Sequence, residues 1–209
     1  MAPLEHRWQH LWQNLGKPMP AGLLDALLAA WREPQRHYHT LQHLAECFAH
    51  FDAVRAMADH PDELELALWF HDAVYDVHAH DNEARSAAWA VCALGDAGLP
   101  AALGERVAAL VMATAGHGQA DAADAQLLLD MDLAILGAPP PRFVEYERQI
   151  RAEYGHVPAG LFEQKRKEVL QGFLGRARIY QTACFGTRLE TQARANLAQA
   201  IAAPAATPK

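Results

Sequence analysis

The 209-residue chain is short of several things, and each shortage removes a class of protein. Its three cysteines, Cys47, Cys92 and Cys184, lie far apart and form no CxxC pair. That argues against a disulfide framework and suits a reducing cytoplasm, with the thiols as small core residues. No apolar run approaches the ~18 residues that a membrane span needs, and MAPLEHRWQH has no signal-peptide core, so a soluble cytoplasmic protein is expected. A basic surplus is missing too: 18 Lys and Arg against 25 Asp and Glu leave a net charge of −7, which disfavours a general nucleic-acid groove. There is no Gly-rich phosphate loop, no Ser-His-Asp hydrolase signature and no internal repeat.

What is present is helix-forming. Ala and Leu dominate, β-branched residues are scarce, and apolar positions recur at three- and four-residue steps. The pattern predicts helices over roughly 4–14, 22–32, 38–58, 62–73, 81–97, 101–114, 123–136, 141–154, 159–182 and 187–201. Proline and glycine punctuate them, most strongly at Gly137-Ala138-Pro139-Pro140-Pro141, read as a turn inside one domain. One all-α domain is expected over residues 1–201, with a metal-binding core at about 36–137, C-terminal helices at 141–201 and a flexible tail at 202–209.

Histidines and carboxylates interrupt the greasiest segments. Residues 64–70, LELALWF, are apolar nearly all round a helix and close on His71-Asp72. An imidazole and a carboxylate entering an apolar interior are costly unless paired or bound to a cation, and a metal ion accepts both. His39 and His43 stand four apart, so a helix would project them from one face. His37 and His50 fall on other faces and read as structural or solvated. In AQLLLDMDLAILG, Asp130 and Asp132 interrupt another apolar helix; two residues apart they point about 200° from each other, so only one can serve a given site.

Arginine's planar fork suits anionic oxygens, and Arg36, close before His39, and Arg166, within Lys165-Arg166-Lys167, are the candidate residues for binding an anionic substrate. His117, in MATAGHGQAD, is a further candidate catalytic histidine, its alternative being a helix-end histidine favoured by the dipole. Trp31, Tyr38, Trp69, Phe70 and Tyr75 cluster around these motifs and could stack on a nucleobase, although Trp69 and Phe70 read as core.

The order H…HD…D over about ninety residues resembles the HD superfamily of metal-dependent phosphohydrolases. The stretches WREPQRHYHTLQH, ALWFHDAVYD, DNEARSA, LLLDMDLAILG, EYGHVP and LETQARANL together resemble a bacterial group of HD phosphohydrolases over most of residues 30–200. The resemblance implies an HD-domain, phosphodiesterase-like helical bundle with His43, His71, Asp72 and Asp132 as metal ligands. Asp132 is chosen over Asp130 because MDL fits the family's last aspartate, which precedes a hydrophobic residue. YHTLQH resembles the YHNxxH of cyclic-nucleotide phosphodiesterases, which makes His43 the ligand and His39 the general acid, with Thr40 standing where that group has Asn. Related enzymes with a second metal use additional histidines from the region of His117.

The mixed nitrogen and oxygen donors suit one or two divalent ions of Mn, Fe, Co, Ni or Zn, with Mg as the hard alternative. The expected activity is hydrolysis of a phosphoester or phosphoanhydride of a small molecule such as a nucleotide. In that reaction Asp72 belongs to the catalytic centre and His39 or His117 protonates the leaving oxygen. Three other readings remain: an HD-fold di-iron oxygenase, a regulatory module that binds a nucleotide without cleaving it, and a purely structural helical protein without stoichiometric metal.

Overall fold

The structure, a computed structural model, describes residues 4–203. Among these residues it is all-α, with ten α-helices and three 3-10 turns and no strand. The described chain divides into two compact units, one ending at Met131 and the other beginning at Asp132. The first holds α1 (Leu4–Asn14), α2 (Leu23–Ala30), α3 (Leu41–Val54), α4 (Pro61–Phe70), α5 (Asn82–Asp96) and α6 (Ala101–Ala113), together with α7 (Ala123–Asp132) up to its last residue. The second holds a 3-10 turn over Leu133–Gly137, then α8 (Pro140–Glu153), α9 (Ala159–Leu174) and α10 (Ala183–Ala202). From residue 204 on, the expected tail lies outside the described residues.

The first unit is built around α4, which packs against α1, α3, α5 and α6 and is buried from Glu63 to Phe70. Trp69 receives the edge of Trp8 at 5.0 Å and packs on Phe48 at 5.0 Å, while Phe70 meets Trp89 edge-on at 5.9 Å. Each such side chain contributes about 1.5–3 kcal/mol by leaving water. A helix buried on every side must satisfy its charges, and α4 does. Glu63 accepts two bonds from Arg106, at 2.7 and 2.6 Å, and Glu65 accepts from Arg7 at 3.2 Å and Arg55 at 3.0 Å. The N-terminal turn of α7 is tied to the approach to α4, where Asp124 accepts the backbone N–H groups of Asp59 and His60, each at 2.8 Å.

The second unit centres on its 3-10 turn, against which α8 and α10 pack. Tyr180 Oη donates to the Leu133 carbonyl at 3.2 Å, and Asn196 Nδ2 donates to the carbonyls of Leu136 and Ala138, both at 2.8 Å. Gly137 lets α10 approach: a Cβ there would lie 2.7 Å from Leu189 Cβ and 2.9 Å from the Leu189 carbonyl. The LETQARANL stretch thus has structural employment. Glu190 accepts the N–H groups of Ile179 and Tyr180 at 3.1 and 3.3 Å, and Arg194 gathers the carbonyls of Leu174, Arg176 and Ala177.

Several helix ends differ from the sequence expectation: the third, fourth and seventh helices stop at Val54, Phe70 and Asp132, short of the expected 58, 73 and 136, and three further ends have a visible cause. The third helix begins at Leu41, not 38, because Thr40 caps it and accepts the Gln42 N–H at 3.3 Å. The ninth stops at Leu174 with Gly175 as its cap, since Glu190 and Arg194 take the backbone groups that a longer helix would pair internally. The tenth starts at Ala183, four residues earlier than its apolar pattern implies, on an N-cap from Thr182 that accepts the Phe185 N–H at 3.4 Å.

Candidate metal centre

The end of α4 sets the site. In α-helices the last four carbonyls have no intrahelical partner, and in α4 each finds another. Ala67 accepts from the His71 N–H at 2.8 Å and Phe70 from the Ala73 N–H at 3.0 Å. Trp69 accepts from Trp31 Nε1 at 3.1 Å, and Leu68 accepts from the His71 ring at Nδ1, 2.9 Å away. The last bond fixes the His71 tautomer: a proton on Nδ1 leaves the Nε2 lone pair facing outward from the helix end.

His43 and Cys47 lie one turn apart on α3, both buried. His43 Nε2 stands 3.1 Å from His71 Nε2. Asp72 places Oδ2 3.2 Å from His71 Nε2 and 3.7 Å from His43 Nε2. Cys47 Sγ is 3.8 Å from each ring nitrogen of His43 and 3.9 Å from the Met131 carbonyl. Asp132, half-buried, is the last residue of α7. His43, Cys47, His71 and Asp132 each offer one ligand atom, all within 4.8 Å of one another, and together could hold a metal ion. Imidazoles sharing a tetrahedral ion stand about 3.3 Å apart, from the usual bond lengths. Two imidazoles, a thiol and carboxylates converging in an apolar surround make an acceptor-rich pocket, the condition a cation relieves.

Of the sequence-predicted ligands, the structure brings His43, His71 and Asp72 into mutual contact and places Asp132 in the same donor group as the two histidines. Asp130 is fully buried and outside that group. Cys47 is the residue that sequence reasoning missed as a donor. It was counted as a core thiol, although its i,i+4 spacing from His43 was the available signal.

His39 lies in the turn ahead of α3, so the shared helical face expected for His39 and His43 does not exist. Their rings are nevertheless 6.0 Å apart, and His39 stacks on Tyr75 at 4.1 Å. Arg36 is buried, and its guanidinium joins the two turns of the site. It donates to the His39 carbonyl at 3.4 Å, the Asp72 carbonyl at 2.5 Å, the Ala73 carbonyl at 3.0 Å and the Glu33 carboxylate at 2.9 Å. His117 closes a 3-10 turn after α6 with a left-handed backbone at φ 50°, outside the donor group.

Arg166, on α9, pairs with Glu147 through Nε at 3.3 Å and Nη2 at 2.5 Å and lies over the Tyr146 ring, 5.0 Å from its centroid. Burial pushes the Tyr146 phenol above its ordinary pKa against the opposing charge of Arg166, and the negative charges of Glu147 and Asp132 add smaller pushes in the same direction. Burial works against the Arg166 charge, but Tyr146 and Glu147 hold the guanidinium above its ordinary value.

Among the described residues no helix is long and apolar enough to cross a membrane. Set against family models, curated proteins and solved structures, the chain matches none of them.

Proposed function

We propose that this chain is a metal-dependent phosphohydrolase of the HD type, acting on a small phosphorylated molecule, with nucleotides the first class to test. The observation that carries this reading is a His-Asp pair at the end of a buried helix facing a second imidazole. His71 Nε2 and His43 Nε2 are 3.1 Å apart, with Asp72 Oδ2 no more than 3.7 Å from either. In this reading His43, His71, Asp72 and Asp132 hold a divalent ion of Mn, Fe, Co, Ni, Zn or Mg. When bound, that ion would supply Lewis-acid polarisation of a phosphoryl oxygen and an activated water.

The remaining chemistry falls to the chain itself. His39, half-buried beside the pair and oriented by Tyr75, is placed to give a proton to the departing oxygen. Arg36 keeps His39 and Asp72 in register through their carbonyls, and a direct bond to phosphate would require it to surrender them. Arg166, in the unit that begins at Asp132, is held by Glu147, and a bond to phosphate would require it to leave that carboxylate. Trp31, 5.4 Å from the His71 ring, and Tyr38, 4.8 Å from the His43 ring, keep the imidazoles in an apolar surround.

Metal analysis of the purified protein, followed by a screen of phosphomonoesters, nucleotides and cyclic nucleotides with the metal found, tests the proposal. Asp72→Ala is expected to lose bound metal and turnover while keeping its helical circular dichroism. Full turnover in that variant, or a wild-type protein that takes up no divalent ion, would sink it.

A further inference from the structure

We propose that Cys47 is itself a ligand, so that the site takes a thiophilic ion such as zinc or cobalt in preference to magnesium. This rests on the metal reading above and deepens it. Cys47 is buried and one turn from His43 on α3, and its Sγ belongs to the group whose donor atoms all lie within 4.8 Å of one another. An imidazole nitrogen and a thiolate sulfur on one tetrahedral ion stand about 3.6 Å apart. Cys47 Sγ is 3.8 Å from His43 Nε2 and equally 3.8 Å from Nδ1, so it stands beside the ring, and rotation of the Cys47 side chain would bring it into line with the Nε2 lone pair.

The orientation of the partner ring is independent of the cysteine: His71 Nδ1 donates to Leu68, so its Nε2 lone pair points at His43 whatever Cys47 does. The contact between Cys47 Sγ and the Met131 carbonyl, at 3.9 Å, is a weak one to exchange for a metal bond. As the sulfur–metal bond forms, the thiol proton leaves to solvent. A thiolate added to two imidazoles and the carboxylates of Asp72 and Asp132 moves the donor set toward borderline-soft, which disfavours magnesium and favours zinc.

Metal-free full-length protein titrated with cobalt(II) reads this directly. The wild type is expected to develop a near-ultraviolet thiolate-to-cobalt charge-transfer band that saturates with the visible ligand-field bands. Cys47→Ser should lose the former and keep the latter. X-ray absorption of the zinc-loaded wild type should show a sulfur neighbour at about 2.3 Å, which decides the matter even if the variant fails to fold. Stoichiometric cobalt without the charge-transfer band, or zinc with only nitrogen and oxygen neighbours, overturns the proposal for Cys47 and leaves the phosphohydrolase reading standing. Failure of the wild type to bind cobalt or zinc also overturns the proposal for Cys47, and failure to bind any divalent ion overturns both.

Discussion

The two units weight buried polarity differently. In the first, the charges of α4 and the imidazoles of the metal centre meet other side chains, while Arg36 and Asp124 hold backbone: Glu63 meets Arg106, Glu65 meets Arg7 and Arg55, and His43 meets His71 and Asp72. In the second, apart from the Arg166–Glu147 pair, the polar groups chiefly hold backbone: Tyr180, Asn196, Glu190 and Arg194 are occupied by carbonyls and N–H groups of the 3-10 turn and of the stretch after α9. A side chain that satisfies backbone secures the path of the chain and has little left for a ligand. A cluster in which side chains satisfy one another can exchange a mutual contact for a bound ion. The difference teaches where chemistry can reside, and it assigns LETQARANL to architecture although the motif is as polar as the HD region.

The largest expected effect tests the apolar half of this contrast. Trp69→Ala removes the ring on which Trp8 and Phe48 converge and should cost about 3–5 kcal/mol. All five tryptophans, from Trp8 to Trp89, precede residue 132, so tryptophan emission during urea unfolding follows the first unit alone. An emission midpoint unchanged by a tryptophan replacement elsewhere but also unchanged by Trp69→Ala would break the account of α4 as the centre of that unit.

Gly137→Ala comes next. Its Cβ would meet Leu189 at 2.7 Å, and such overpacking costs about 1–3 kcal/mol. Amide hydrogen exchange should quicken across the 3-10 turn and α10. Unaltered protection there would mean that the close approach of α10 is not what orders the second unit.

The smallest effect is a slope. Burial raises the pKa of Glu65 above its ordinary 4.5, outweighing Arg7 and Arg55. A carboxyl with a raised folded pKa holds its proton more firmly folded than unfolded. Folding therefore gains as pH falls through the folded value, and the gain levels off below the unfolded one. Relative to Glu65→Gln, the wild type should strengthen on acidification toward pH 4.5, by less than about 1.4 kcal/mol per pH unit. Thermal melts of both proteins across that range check the sign; the opposite slope would mean that the guanidiniums prevail.

Helix content and the burial of LELALWF were legible in the sequence, because apolar periodicity is a local signal; the convergence of His43 with His71 and Asp72 was legible only through the family resemblance of the H…HD…D series. What was not legible depends on partners distant in the chain. The start of α3 turned on Thr40 competing for a backbone N–H, and the end of α9 on Glu190 and Arg194, ten to twenty residues downstream. Arg36 read as a phosphate candidate because its charge was visible and the carbonyls of Asp72 and Ala73 that occupy it were not. Cys47 was hidden by its chemistry: a buried thiol reads as a small apolar residue until two imidazoles are placed beside it.

The bond from His71 to Leu68 makes one side chain serve two masters. Replacing His71 would uncap α4 as well as subtract a donor, so a variant that lost metal could have lost it merely by fraying, and the experiment would be confounded from the start. Asp72 carries no such double duty toward the terminal carbonyls of α4, which makes the aspartate, not the histidine, the clean point of entry for dissecting the site. The same coupling ties the site to the register of α4: inserting or deleting one residue between its packed core and His71 would rotate the donor by about 100° and dismantle the site without touching a ligand.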